Sequence, residues 1–388
     1  MKYTVSESEF TCTRDNLVIR GTQYIPYGTA KYPIIVVSHG FMDSQGSTKP
    51  YAKKLAELGY VTLAFDFCGG GIRGISDGRT QDMTVFTEMD DLKQVVEYAK
   101  TIEEADPEHI TLMGFSQGGF VSMLTAAELG SHKIEQLIPV YPALCIPDDA
   151  RRGRMMFAKF DPTDIPEEIS CGPMKLGRSY PESVLYMDPY EVIGRYAGKV
   201  LIIHGTADKV VNIDYSRRAA ACYKDSDDVS LHIIEGAGHG FNKEYDAYAM
   251  EVVEQWLEGA REILTIDVEL RDVEVLEKGI EKSVIAIPFS GRAESEYFSG
   301  IIQPGARDTQ QLEKMKAVDC CAEYDIVGRD CEGERCTVHV INRRKKDGPW
   351  TPTVTTGSKA LDFLNGADLH CVFENRRKGP KINIFAKQ

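Results

Sequence analysis

Hydrophobic residues in the first two thirds of the chain form short runs rich in β-branched side chains, and longer amphipathic stretches separate these runs. The runs predict buried strands at 34–37, 61–65, 110–113, 134–140, 200–203 and 231–234. Between them, apolar residues recur every three or four positions at 88–100 and 245–257, and Thr48 is placed to cap a further helix. Alternating strands and helices predict a mostly parallel sheet with helices on both faces, whereas residues 1–25 predict an antiparallel hairpin.

Residues 145–196 interrupt this alternation, because they contain six of the chain's 17 prolines and many charged side chains. The segment is too long for an ordinary connection between two strands and too rich in proline for a single helix. We therefore predict a lid or a substrate-binding insertion here, with a merely decorative insertion as the alternative.

The pattern changes again after Ile266, where short strands alternate with turns rich in glycine and proline. The predicted strands lie at 267–270, 283–289, 297–302, 321–327, 336–341, 369–373 and 381–385. Only 310–318 has a helical spacing in this part of the sequence. Many short strands of this kind indicate a small barrel or sandwich. The chain is thus predicted to fold as two domains, an α/β unit at 1–262 and an all-β barrel at 266–388.

The charge distribution follows the same division. The 388 residues have a net charge of −14, yet residues 266–388 contribute only −1, from 19 basic and 20 acidic side chains, which leaves −13 for the first part. A surface this acidic repels phosphate backbones, so we expect no nucleic-acid partner. No run approaches the ~18 apolar residues of a membrane span, and the N-terminus lacks the apolar block of a signal peptide, so we expect a cytoplasmic protein without membrane attachment.

Ten cysteines fit a reducing compartment, where they pack as small apolar side chains. Cys331 and Cys336 flank a predicted turn, which raises the alternative of a zinc site. Zinc needs two further ligands, and His339 is three residues from Cys336, on the opposite face of a strand. We therefore expect no metal and no other cofactor.

A nucleophile motif stands between a predicted strand and a predicted helix, at Gly114-x-Ser116-x-Gly118. A serine on such a turn adopts a strained backbone conformation, and its neighbours must be small for the turn to pack. Serine is a weak nucleophile unless a general base and an oxyanion site accompany it. The motif therefore predicts that both are supplied nearby.

Two backbone N–H groups are the predicted oxyanion donors. That of Gln117 lies at the N-terminus of the helix after the nucleophile, where the helix dipole also favours negative charge. That of Phe41 lies in the loop after the strand at 34–37. His39 in the same loop is predicted to hold the loop in place, with direct catalysis as the alternative.

The base and the acid are expected in loops after later strands. His239, within EGAGHGF, is the histidine that occupies a glycine-rich loop at a strand end, and Asp208 follows the preceding predicted strand within HGTAD. Both belong at the carboxyl edge of the sheet, where α/β proteins bind ligands. The order Ser116, Asp208, His239 is the one expected for this kind of nucleophile turn. Alternatively, Asp208 is a turn residue and the acid is Asp148 or Asp149.

Together these motifs resemble the α/β-hydrolase superfamily, and residues 1–260 resemble the cinnamoyl (feruloyl) esterases of gut and rumen bacteria. The resemblance is carried by HGF at 39–41, GFSQGG at 114–119, HGTAD at 204–208, GAGHGF at 236–241, KFDPTDIPEEI at 159–169, KLGRSY at 175–180 and MDPYE at 187–191. It implies an α/β-hydrolase fold in which the insertion at 145–196 caps the pocket. It also makes Tyr180 and Asp149 the candidate contacts of the substrate's phenol hydroxyl, with the adjacent Asp148 as the alternative to Asp149.

The C-terminal part resembles a bacterial family of small lipocalin-like β-barrels of unknown function. The segments that match are FSGRAESEYFSGIIQPGARDTQ at 289–310 and the terminal LHCVFENRRKG and INIFA. This second resemblance implies an all-β barrel and no particular chemistry.

These observations predict a serine carboxylesterase that cleaves hydroxycinnamoyl or similar aryl-acyl esters through an acyl-enzyme. Ser116 is the predicted nucleophile, His239 the base and Asp208 the acid that orients it. A serine peptidase or an acyltransferase on the same triad is one alternative, because fold and triad do not fix the acceptor. A small-ligand-binding protein that uses the barrel is another. The expected partner is a small-molecule ester, and the oligomeric state stays open, with a homo-oligomer among the alternatives.

Overall fold

The chain folds as two compact units that divide between Tyr245 and Asp246. The computed structural model describes residues 2–226, 228–279, 281–346 and 348–387. Within these ranges, no helix is both long enough and apolar enough to cross a membrane.

The first unit is an eight-stranded sheet with helices and two small hairpins. Its strands are β1 (Val5–Arg14), β2 (Leu17–Pro26), β3 (Tyr32–Ser38), β4 (Val61–Phe65), β5 (Ala105–Phe115), β6 (Gln136–Val140), β7 (Arg154–Met155), β8 (Ala158–Lys159), β9 (Glu168–Cys171), β10 (Met174–Gly177), β11 (Lys199–Gly205) and β12 (Val229–Ile234). Its helices are α1 (Gln45–Glu57), α2 (Val85–Ala99), α3 (Gln117–Leu129), α4 (Ile146–Arg151), α5 (Ser179–Val184), α6 (Pro189–Ile193) and α7 (Asp214–Ala220).

The sheet has the order β1-β2-β4-β3-β5-β6-β11-β12. The six strands from β4 to β12 in this order are parallel, and β1 and β2 form the antiparallel hairpin predicted for the N-terminus. Every residue of β4 is buried, as expected for a strand that helices cover on both faces. The predicted α/β class is therefore confirmed, and the carboxyl ends of the parallel strands meet at one edge.

The start of α1 differs from the prediction. The helix begins at Gln45, and Thr48 lies inside its first turn, where its hydroxyl donates to the carbonyl of Gln45. The backbone N–H of Gln45 donates to Asp66 Oδ1 at 2.7 Å. Thr48 as the cap is therefore wrong, because a carboxylate distant in sequence accepts from the first turn in place of a local side chain.

The insertion between β6 and β11 contains α4, the hairpins β7–β8 and β9–β10, and the short helices α5 and α6. Its apolar residues, among them Met155, Ile169 and Tyr180, belong to the same buried cluster as the sheet and its helices. The insertion is thus packed into the first unit.

The second unit combines one helix with an antiparallel sheet. Its elements are α8 (Lys243–Leu257) from Asp246 onward, β13 (Ala260–Leu270), β14 (Glu274–Lys278), β15 (Lys282–Glu294), β16 (Phe298–Ile302), β17 (Arg307–Glu313), β18 (Lys316–Asp330), β19 (Arg335–Lys345), β20 (Thr351–Thr356), a 3₁₀ helix (Asp362–Leu364), β21 (Leu369–Glu374) and β22 (Lys381–Lys387). The main order is β20-β19-β18-β16-β15-β13-β22-β21, and β14 and β17 pair beside it. Strands β20 and β21 lie against each other, so the sheet closes into the predicted all-β barrel.

Two features of this unit differ from the sequence analysis. The helical spacing at 310–318 is wrong, because β17 and β18 form a hairpin there whose turn residues Lys314 and Met315 have φ of 47° and 65°. The predicted boundary at 262–266 lies inside β13. The two units divide earlier, before Asp246, so most of α8 belongs to the second unit. Glu258 at the end of α8 pairs with Lys387 of β22 at 2.7 Å.

The cysteines of the predicted turn lie close to where they were expected, with Cys331 after β18 and Cys336 on β19. All ten cysteines of the chain are free thiols.

Candidate active site

Ser116 stands between the end of β5 and the start of α3, with φ of 52° and ψ of −116°. A positive φ is unfavourable for a residue with a side chain, and strain of this kind is typical of nucleophile turns. The neighbouring glycines permit it, because a Cβ on Gly114 would lie 2.2 Å from the carbonyl oxygen of Gly118. A Cβ on Gly118 would lie 2.2 Å from that of His39. The turn can therefore close on itself only with glycine at 114, and it can pack against the loop after β3 only with glycine at 118.

The structure brings the predicted nucleophile, base and acid together from three loops at the carboxyl edge of the sheet. His239 Nε2 lies 2.9 Å from Ser116 Oγ, and His239 Nδ1 lies 2.8 Å from Asp208 Oδ2. The Asp208 side chain is fully buried, while 18% of the His239 side chain is exposed. This geometry allows His239 to take a proton from Ser116 while Asp208 holds the ring.

The environment of Asp208 keeps its carboxylate ionised. Its Oδ1 accepts from the backbone N–H groups of Val210 at 2.8 Å and Val211 at 2.9 Å. Burial by itself raises the pKa of Asp208, but the hydrogen bonds from His204, His239 and the Val211 N–H outweigh burial and hold the pKa well below its usual value. A charged carboxylate in this position favours the imidazolium that forms during proton transfer.

His204 is a residue of this site that the sequence analysis did not assign. Its side chain is fully buried at the end of β11, and its Nε2 lies 3.2 Å from Asp208 Oδ2 and 3.0 Å from the Val211 carbonyl oxygen. Its Nδ1 lies 2.7 Å from Ser216 Oγ. The only signal in the sequence is the spacing of four residues between the histidine and the aspartate of HGTAD.

The two alternative acids lie elsewhere. Asp148 accepts from the Tyr215 hydroxyl and from Arg151, both at 2.7 Å. Asp149 lines the neighbouring cavity, and burial raises its pKa. Since His239 Nδ1 faces Asp208, the geometry places neither alternative in the position of the acid.

The predicted oxyanion donors lie beside the nucleophile. Phe41 and Gln117 line the same cavity as Ser116. His39, which is buried, contacts the Gly40 carbonyl oxygen through Nδ1 at 2.8 Å, and its Nε2 accepts from the backbone N–H of Phe67 at 3.2 Å. Burial lowers the pKa of His39, so its ring is neutral and holds the loop that carries Phe41.

A buried side-chain network supports Gln117, and the sequence offered no sign of it. Gln117 Nε2 donates to Glu88 Oε2 at 2.7 Å, and the Tyr180 hydroxyl donates to Gln117 Oε1. Burial raises the pKa of Glu88 well above its usual value, and the nearby Asp91 adds to this effect. The network links helix α2, the residue after the nucleophile, and helix α5 of the insertion.

A cavity of about 410 Å³ opens at Ser116. The side chains that line it come from the nucleophile turn, the loop after β3, the insertion and the loop after β11: Phe41, Ser116, Gln117, Ala143, Cys145, Ile146, Asp149, Arg154, Met155, Met156, Phe157, Tyr180, Lys209, Val210 and Val211. Asp149 and Tyr180, the implied phenol contacts, are both among them. The Tyr180 hydroxyl, however, is directed at Gln117.

Comparisons with known proteins show what the first unit is similar to. A family model described as "Serine aminopeptidase, S33" matches residues 30–167. Human monoglyceride lipase is 28% identical over 251 residues, which cover 56% of this chain and 78% of the lipase. A 31.7 kDa protein of the traX-finO intergenic region of Escherichia coli is 32% identical over 96 residues. That match covers 24% of this chain and 32% of the relative, so the chain spans about a third of its length.

Among solved structures, Est1E from Butyrivibrio proteoclasticus with ferulic acid bound is similar to this chain, with a TM-score of 0.58 and 29% identity. The match covers 64% of this chain and 97% of Est1E. Nearly the whole of Est1E therefore has a counterpart in this chain, which is longer.

Proposed function

We propose that the protein, whose first unit has the α/β-hydrolase fold, is a serine carboxylesterase that cleaves hydroxycinnamoyl or similar aryl-acyl esters. The observation that carries the proposal is the hydrogen-bonded series Ser116, His239 and Asp208 beside a cavity that Ser116 itself lines. The likeness to Est1E, which binds ferulic acid, and to a monoglyceride lipase supports an ester as the substrate.

In the proposed reaction, Ser116 Oγ attacks the ester carbonyl carbon while His239 Nε2 takes its proton. The N–H groups of Phe41 and Gln117 stabilise the oxyanion of the tetrahedral intermediate. The C–O bond to the alcohol then breaks, and His239 returns the proton to the leaving oxygen. Water repeats the sequence on the acyl-enzyme, which releases the carboxylic acid and restores Ser116. Asp208 keeps the imidazole in the required tautomer throughout.

The cavity suits an aryl-acyl group in size and chemistry. Its volume of about 410 Å³ lies in the range of small-molecule sites. Ile146, Met155 and Phe157 provide apolar surface from the insertion, and Asp149 provides a polar group among them. An aromatic acyl chain with a phenol hydroxyl matches this combination.

An aryl-ester assay on Ser116→Ala tests the proposal. We expect kcat to fall by about 10⁶-fold, because the attacking group is lost and only binding and oxyanion contacts remain. A fluorophosphonate should label Ser116 in the parent protein and fail to label the variant. Ser47→Ala, which removes an exposed hydroxyl in α1, serves as the control and should keep both properties. Activity of Ser116→Ala near the parent level would show that the nucleophile assignment is wrong.

A serine peptidase or acyltransferase is the second candidate, since the matching family model is described as an aminopeptidase. Ethyl ferulate, an aminoacyl anilide and a thioester, offered to the same preparation, separate these activities. Fastest turnover of ethyl ferulate supports the esterase. Fastest turnover of the anilide supports the peptidase, and transfer from the thioester to an added alcohol or amine supports the acyltransferase.

A further inference from the structure

The cavity contains two basic side chains that the proposed reaction does not use. Arg154 begins β7 in the insertion, Lys209 follows Asp208 in the loop after β11, and both line the cavity together with Ser116. In the part of the chain that the structure describes, neither side chain has an ion-pair partner or a hydrogen bond. The Arg154 charge does lower the pKa of Asp149, but neither cation is held in a short ion pair, so both can bind a ligand.

The other arginines of the insertion behave differently from Arg154. Each has an acidic partner: Arg151 with Asp148 at 2.7 Å, Arg152 with Asp149 at 3.9 Å, Arg178 with Glu167 at 3.3 Å and Arg195 with Glu191 at 3.1 Å. Pairing is thus the rule for arginine in this segment. Arg154, which is the one of these arginines that lines the cavity, departs from that rule.

The charge of the cavity is opposite to that of its surroundings. Arg154, Lys209 and Asp149 are the charged side chains in its lining, so the lining carries a net +1. Residues 1–265, in contrast, carry −13. Asp208 lies nearby, but its carboxylate is already satisfied by His204, His239 and two backbone N–H groups. The lining itself thus offers two cations against one carboxylate, while the ionised Asp208 is bonded to other groups.

Both cations stand on backbone that is held in place. The N–H groups of Val210 and Val211 donate to Asp208 Oδ1, which fixes the loop on either side of Lys209. The backbone of Arg154 is paired with that of Lys159 in the β7–β8 hairpin. Two separate elements thus present the charges to one cavity.

We propose that this hydrolase prefers esters that carry a carboxylate, bound by Arg154 and Lys209, on either the acyl or the alcohol part. The guanidinium fork matches the two oxygens of a carboxylate, and Lys209 adds a second charge-assisted donor. The inference rests on the proposed esterase function and names its substrate class.

Two matched pairs of substrates test this preference. In the first pair, the ferulate esters of glycolic acid and of glycolamide, a carboxylate on the alcohol part is replaced by an amide. In the second pair, ethyl 4-carboxycinnamate and ethyl 4-carbamoylcinnamate, the same replacement is made on the acyl part. The measurement is the ratio of kcat/KM for carboxylate over amide in each pair. We expect a ratio above unity in at least one pair, reduced by about two- to fivefold in Arg154→Gln and in Lys209→Gln.

Lys199→Gln is the control, because Lys199 is an exposed cation at the opposite end of β11 and does not line the cavity. It changes the net charge by the same amount and should leave the ratio at the parent value. Ratios at or below unity in both pairs would overturn the inference, as would a preference that survives both cavity variants. If none of the four esters is cleaved and Ser116 is not labelled, the esterase proposal fails and this inference fails with it.

Discussion

His204 Nε2 lies 3.2 Å from Asp208 Oδ2, the carboxylate oxygen that also accepts the hydrogen bond from His239. Both the His204 and the Asp208 side chains are fully buried. The ring of His204 is itself held by Ser216 at Nδ1. Asp208 Oδ2 is therefore held by His204 as well as by His239, and His204 acts as a positioning residue for the proposed triad.

Removal of this contact should slow the reaction without weakening substrate binding. For His204→Ala we expect kcat to fall by about 10- to 100-fold, the usual effect of losing a partner that orients a functional group, with little change in KM. Steady-state kinetics on an aryl ester measure both. His232→Gln, which alters another buried histidine on β12, is the control for the general cost of such a change. A His204→Ala variant with the parent kcat would show that Asp208 needs no support from His204.

The role of Tyr180 can be separated from that of a phenol contact. Because its hydroxyl donates to Gln117 Oε1, we expect Tyr180→Phe to lower kcat about equally for ferulate and cinnamate esters and to destabilise the protein by about 1 kcal/mol. Tyr196→Phe, which removes a buried hydroxyl bonded to the Ile134 carbonyl oxygen, is the control for stability. Loss of activity on ferulate alone would instead favour a direct contact between Tyr180 and the substrate phenol.

Glu88 should make the stability of the protein depend on pH. Its folded pKa is raised by burial above the unfolded value of about 4, so folding takes up a proton between the two values. The free energy of unfolding is then highest below the unfolded pKa and falls as pH rises through this window. We expect Glu88→Gln to reduce this decline, to which Asp91 with a pKa raised to about 6 also contributes, and to be more stable than the parent at pH 8 by about 1 kcal/mol or more.

Urea unfolding at about pH 4, 6 and 8 checks this expectation, with the midpoint and slope compared at each pH. Glu97→Gln is the matched control, since Glu97 lies on the same helix but is 60% exposed and paired with Lys100. The control should retain the pH dependence of the parent. Equal pH dependence in the parent and in Glu88→Gln would contradict the assignment to this residue.

The nucleophile turn should not tolerate a methyl group at Gly118. A Cβ there would lie 2.2 Å from the His39 carbonyl oxygen and 2.7 Å from that of Ser38, and backbone on both sides cannot move aside cheaply. We expect Gly118→Ala to lower stability by about 1–3 kcal/mol and to lower kcat. Thermal unfolding and the aryl-ester assay measure the two effects. Gly46→Ala, whose nearest neighbour is the Ser44 hydroxyl at 3.3 Å, should be mild by comparison.

Local sequence pattern was sufficient for the parts of this protein that depend on neighbours in the chain. The β-branched run at Val61–Phe65 predicts β4 to the residue, because a strand covered on both faces must be apolar throughout. The nucleophile turn follows from Gly114, Ser116 and Gly118, since only small residues fit around it. The order of Ser116, Asp208 and His239 along the chain then predicts which loops converge at the edge of a parallel sheet.

Contacts between residues far apart in the chain decided the rest. Asp66 accepts a hydrogen bond from the backbone N–H of Gln45, so α1 begins before Thr48. Pairing between β17 and β18 makes residues 310–318 a hairpin and not a helix. The roles assigned to His204 and Glu88 depend on their burial beside residues from other elements. The role assigned to Arg154 depends on its position in the cavity lining without a short ion pair. A single sequence contains the type of each side chain and its local spacing. Burial, hydrogen-bond partners and unbalanced charge arise only when separate segments pack together, so they belong to the tertiary structure.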